Sequence, residues 1–91
     1  MNTNQKILKA KTIQRDIDYW LNIVEQSIES VDYSKHNNWL IKCIPEYIRY
    51  IDSALAKAEK LGVDGLLDLQ SIHNEITKYT KIYDETIKEE N

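Results

Sequence analysis

A chain of 91 residues with 12 Lys and Arg against 15 Asp and Glu, a formal charge of −3 and a pI near 5.3, has room for one domain and one modest core. That charge argues against a general phosphate-backbone binder, which presents a basic face, so no nucleic-acid partner is expected. No apolar run reaches the roughly 18 residues of a membrane span, and the N-terminus lacks the apolar core of a secretory signal, so neither membrane insertion nor export is expected.

Two Gly and one Pro offer little of the punctuation a sheet protein needs, and Lys, Glu, Ile, Leu and Ala fill long stretches, which points to an all-α fold. Cys43 is the only cysteine, so it has no disulfide partner within the sequence. Its neighbours Leu40, Ile41 and Ile44 suit a buried, reduced thiol, and a cytoplasmic location is the simplest expectation.

Taken in chain order, Ile7, Ala10, Ile13, Ile17, Trp20, Val24, Ile28 and Val31 recur every three or four residues, with Leu21 widening the stripe. The spacing predicts one amphipathic helix from about Asn4 to Ser30, roughly 40 Å long at about 1.5 Å per residue. The first few residues and the "KEEN" tail are expected to fray. Asp32-Tyr33-Ser34 interrupts the pattern, and Ser34 suits the N-cap of a second helix.

The second stripe reads Leu40, Ile44, Tyr47 or Ile48, Ile51, Leu55, Ala58 and Leu61, and it crosses Pro45 in phase. The favoured reading is a single helix kinked at Pro45, where the proline removes one i to i−4 bond and its ring pushes on the Ile41 carbonyl. The alternative is a short helix ending near Cys43 and a new one with Pro45 at its first position, where the missing N–H costs nothing. Gly62 then suits a left-handed helix end with Val63 folding back over the last turn. Asp64 is the expected cap of a third helix, from about Gly65 to Lys88, with Leu66, Leu69, Ile72, Ile76, Tyr79, Tyr83 and Ile87 along its stripe.

Short loops make neighbours antiparallel, so the expected architecture is a small up-down bundle of three long helices, or four if Pro45 separates two. Leu21, Ile23, Leu67 and Ile82 lie outside a narrow seam and point to a second buried surface, such as a homo-oligomer contact.

The sequence contains no Gly-rich phosphate loop, no H-E-x-x-H and no G-x-S-x-G. It also lacks the paired Glu-x-x-His helices of a di-iron bundle. Neither enzyme activity nor a cofactor or metal is expected. His73, in "SIHNEI" with Asp68 and Glu75 close by, reads most simply as a surface histidine, and His36 as part of a solvated helix start.

The aromatic inventory, six Tyr and two Trp with no Phe, gives every large ring a polar tip and suits boundaries and binding surfaces. Trp20, Tyr47, Tyr79 and Tyr83 fall on the stripes and are expected in the core. Trp39 and Tyr50 lie toward a stripe's edge and Tyr19 lies off it; with Lys42 and Arg49 they form the expected partner-binding set.

Charge is segregated as well. Residues 1–15 carry Lys6, Lys9, Lys11 and Arg15 with no acid, and residues 16–32 carry Asp16, Asp18, Glu25, Glu29 and Asp32 with no base. This opposes the helix macrodipole, by about 0.3–1 kcal/mol per exposed charge. Either a neighbouring helix compensates, or exposure and salt make the penalty negligible, or Lys6, Lys9, Lys11 and Arg15 form an anion-binding patch.

The stretch "IPEYIRYIDSALAKAEKLGVDGLLDLQSIHNEI", residues 44–76, resembles the later half of the class IIa bacteriocin immunity proteins, with Pro45, the Ala54 to Ala58 stretch and Gly62-Val63 carrying the similarity. The resemblance covers about a third of the chain. It implies a small antiparallel four-helix bundle and a cytosolic protector that binds a membrane receptor complex without enzymatic activity.

The function expected from the residues themselves is broader: a small, non-enzymatic helical binding protein. It would act as an inhibitor, immunity factor or adaptor on a protein partner, through an aromatic and basic face. The alternative is an oligomer that sequesters a small nucleotide-like anion, with Lys6, Lys9, Lys11 and Arg15 meeting the phosphate and Tyr or Trp rings stacking on the base.

Overall fold

A reciprocal pair of hydrogen bonds ties down the start of the chain. Asn2 Oδ1 accepts from the Gln5 N–H at 2.9 Å, and the Asn2 N–H donates to Gln5 Oε1 at 2.9 Å. This capping box satisfies a backbone donor that a helix leaves orphaned, so α1, Thr3–Glu29, is helical where fraying was expected. The computed structural model describes residues 1–30 and 39–90; Ser34 and His36 lie outside the described residues, as do the side chains of Trp39 and Leu40.

The remaining elements are α2 (Trp39–Lys42), α3 (Ile44–Leu61), a 3-10 turn (Asp64–Leu66) and α4 (Leu69–Glu90). No strand is present among the described residues, and the molecule is a rod of 53 × 16 × 16 Å. The tail is helical through Glu90, so fraying does not begin at Lys88.

The helix does not run through Pro45 as a simple kink. It stops at Lys42, Cys43 stands between α2 and α3, and Pro45 sits in the first turn of α3. There its missing N–H falls among groups that have no intrahelical partner anyway, so the break relieves the cost an interior proline would impose. Cys43 keeps right-handed helical dihedrals (φ −84°, ψ −8°), and its carbonyl accepts from Glu46 at 3.0 Å and Tyr47 at 3.2 Å. Phase therefore carries across the break, and Ile41, Ile44 and Ile51 are all fully buried.

The end of α3 follows the sequence closely. Gly62 is left-handed (φ 71°, ψ 27°), its N–H donates to Glu59 at 3.0 Å, and the Val63 N–H donates to Ala58 at 2.9 Å. These two bonds make a Schellman motif, and the buried Val63 packs in the same cluster as Ala58.

Beyond it the expected cap moves. Asp64 opens only the 3-10 turn, Leu67 is extended (φ −96°, ψ 157°), and Asp68 caps α4 by accepting from Ser71 N–H at 3.2 Å. The extended residue shifts the phase, so Leu67 turns inward while Leu66, expected in the core, is 56 % exposed.

Two clusters fill the interior. The first joins Ala10, Ile13 and Ile17 of α1 to Ile51 and Ala58 of α3, Val63, Leu67, and Ile72 of α4. The second joins Val24 to Ile41, Ile44 and Tyr79. Rising positions in α1 thus meet falling positions in α3 and rising ones in α4, which makes α3 antiparallel to both. Leu21 packs against both clusters and Ile82 against the second, so with Leu67 the bundle's own core absorbs three of the four residues that pointed to another buried surface. Ile23 is half-buried.

Candidate functional site

The α1–α3 seam carries four rings, three tyrosines gathered on one indole. Trp20, half-buried on α1, is met edge-on by its neighbour Tyr19 (centroids 5.1 Å apart, planes at 76°). From α3, Tyr47 stacks on it at 5.7 Å and 20°, and Tyr50 leans against it at 4.7 Å and 45°. Tyr47 and Tyr50 are three residues apart on one helix, about 60° round the axis from each other, so one side of α3 presents both to the indole.

Burial falls from the centre outward. Tyr47 is half-buried, whereas Tyr19 is 58 % and Tyr50 42 % exposed. Edge-on and offset pairings match the ring quadrupoles and add about 0.5–1.5 kcal/mol per pair beyond area burial. The exposed tyrosines are therefore held by the indole, and few rotamers remain to be frozen when something docks on them.

A carboxylate completes the edge. The Tyr50 hydroxyl donates to Glu46 Oε1 at 2.9 Å, one turn earlier on α3. That hydrogen bond and the Glu46 charge raise the Tyr50 phenol above its ordinary value, and Arg49 opposes the shift. Burial, and next the Cys43 thiol, raise Tyr47. Cys43 is half-buried beside this ring, not enclosed in the core as expected.

The partner set read from sequence is only partly gathered. Tyr19 and Tyr50 meet on Trp20, while Arg49 is exposed about 100° round α3 from Tyr50 and Lys42 is exposed at the end of α2. Trp39 starts α2, but its side chain lies outside the described residues. Trp20 and Tyr47, expected as core, form the middle of the face. Their pairing depends on which turn of α1 faces which turn of α3, and no local pattern encodes that.

The four N-terminal cations do not share one face. At about 100° per residue, Lys11 and Arg15 lie about 40° apart on the outer arc of α1, and Lys6 and Lys9 lie about 60° apart on another. All four are exposed, and among the described residues none is joined to a carboxylate by an ion pair.

Two shallow grooves flank the bundle elsewhere. Ile7, Ala10, Lys11, Gln14 and Leu66 line one of about 210 Å³. Asp52, Leu55, Glu59, Asp64, Leu69 and the exposed His73 are among those lining one of about 310 Å³. Among the described residues, no three His, Cys, Asp or Glu side chains come together as metal ligands. No helix among them is long and apolar enough to cross a membrane. No family model, curated protein or solved structure matches the chain.

Proposed function

We propose that this protein acts without catalysis, by docking another protein on the ring cluster of Tyr19, Trp20, Tyr47 and Tyr50, as an inhibitor, immunity factor or adaptor. The observation that carries this reading is that Tyr19 and Tyr50, both substantially exposed, are pinned to the same half-buried indole. Amphipathic rings held in place at low entropic cost are the residues that dominate protein interfaces, and the Glu46–Tyr50 bond adds an acceptor at the rim. The sequestration of a nucleotide-like anion draws less support, because Lys6, Lys9, Lys11 and Arg15 are spread around α1 and the rings lie further along it.

The test places a photo-crosslinking amino acid at Tyr19 or at Tyr50 in the source cells. One protein captured from both positions, whose affinity for the purified chain drops about tenfold or more in Tyr19→Ala and Tyr50→Ala, is the expected result. A partner bound equally well by both variants, with their helicity intact, would sink the reading.

A further inference from the structure

Among the described residues, the exposed large apolar side chains fall in two groups. Tyr19 and Tyr50 belong to the ring cluster; Met1, Ile7, Leu8 and Leu66 gather at the other end of α1 and at the turn beside it. Leu66 is there because the extended Leu67 turned it outward, and with Ile7 and the buried Ala10 it forms an apolar trough of about 210 Å³. That volume is below the roughly 300–1,000 Å³ of small-molecule sites, so the trough fits side-chain anchors better than a free ligand.

We infer that this trough docks an acidic amphipathic helix of a second protein, on the flank of α1 away from the aromatic seam. The lining residues Ile7, Ala10 and Gln14 follow i, i+3, i+7 spacing, so the trough runs along α1 for about two turns, the length over which a docked helix presents its own apolar stripe. Charge selects the partner. Lys11 lines the trough, Arg15 lies one turn on along the same arc, and residues 1–15 contain no acid. Asp18, the first acid beyond Arg15 on that arc, accepts from Gln14 Nε2 at 2.9 Å. Carboxylates flanking the incoming apolar stripe would meet Lys11 and Arg15 in the N-terminal half of α1. The other groove has the opposite character, with Asp52, Glu59 and Asp64 at its rim, so a helix that suits one trough is repelled from the other.

The experiment is a backbone-amide NMR titration of the full chain with a synthetic helical peptide carrying leucines at i, i+3 and i+7 and glutamates elsewhere. Its controls are the same peptide with lysines for glutamates and vesicles containing anionic lipid. The expected result is saturable shifts at Ile7, Lys11, Gln14 and Leu66 with the acidic peptide alone. Affinity should fall about tenfold in Lys11→Glu/Arg15→Glu and in Leu66→Ala, and change less than about twofold in Tyr50→Ala. Leu66 and the two cations are exposed, and unchanged thermal melts confirm that the variants fold. Shifts centred on Tyr19 and Tyr50, equal response to the basic peptide, response to the vesicles in place of the acidic peptide, or no response at all would each overturn the inference. The Tyr50→Ala control keeps this outcome separate from that of the aromatic seam.

Discussion

Tyr50 leans on the Trp20 indole at 4.7 Å from the opposite helix, and the same phenol hydrogen-bonds to Glu46 on its own. Trp20 is therefore a structural hub and Tyr19 an outward-facing dependent. Trp20→Ala is expected to destabilise the bundle by about 2–3 kcal/mol, below the ~3–5 kcal/mol of a fully buried Trp because this one is half-buried. Tyr19→Ala is expected to cost less than about 1 kcal/mol. Urea unfolding of both variants checks the ratio, and similar losses at the two positions would contradict this division of roles.

Pro45 gives a discriminating substitution. In the first turn of α3 its absent N–H is harmless and its ring limits the unfolded chain, so Pro45→Ala is expected to lose about 0.4–1 kcal/mol. An interior kink would behave in the opposite way, gaining stability as the missing hydrogen bond is restored. The sign of the change in melting temperature decides between them.

The two glycines should differ. Gly62→Ala forces an L side chain into the left-handed region at φ 71° and is expected to cost about 1–2 kcal/mol even though the space around it is open. Gly65→Ala meets nothing within 4 Å and has no such backbone demand, so it should be neutral or slightly stabilising. Paired thermal melts test both.

The relocated cap can be tested in the same way. Asp68→Ala removes the acceptor for the Ser71 N–H and should destabilise α4 by about 0.5–2 kcal/mol. Asp64→Ala should cost less, since its side chain caps no long helix. The reverse order in chemical denaturation would restore Asp64 as the effective start of the helix.

Alkali should unfold the protein through Tyr79. Burial raises this phenol well above the ordinary 10.0, with the Glu75 hydrogen bond and the charges of Glu75, Glu25 and Glu29 adding to it. A raised folded-state value means that the native chain keeps a proton the unfolded chain gives up. The resulting stability is complete below about pH 10 and is lost as pH rises toward the folded value. Tyrosinate absorbance and circular dichroism followed together from pH 8 to 12 should show a late ionisation, beyond those of the raised Tyr47 and Tyr50, that coincides with loss of helix. Tyr79→Phe should remove that step.

The interior was largely legible because the apolar stripes of all three helices carry the 3.6-residue period on their own. Ile13, Ile17, Ile44, Ile51, Ala58 and Ile72 are buried as the spacing predicts. Gly62-Val63 was legible for a similar reason: a glycine followed by an apolar residue at a stripe's end is a local signature. The pattern of Asn2 and Gln5 is also local, and it places the start of α1 at Thr3, one residue before the start expected from the apolar stripe. Asp64 and Asp68 are equivalent as cap candidates by residue type, and Asp68 is the one that caps α4, beyond an extended Leu67 that is buried in the core. The ring cluster was half legible. Its members sit in plain view as Tyr19-Trp20 and Tyr47-x-x-Tyr50, but which turn of one helix faces which turn of another is fixed only when the whole core packs.

Among the described residues the interior falls into two clusters, and side chains join them across the division. Leu21 packs against both, and the Trp20–Tyr47 stack joins a residue packed on the first to one packed on the second. Cooperativity of unfolding rests on those links, since without them each half of the rod could melt on its own schedule. Under the proposed function, a partner seated on Tyr19 and Tyr50 would press on that joint, and its binding energy would make the whole rod unfold as one unit instead of stiffening a single end.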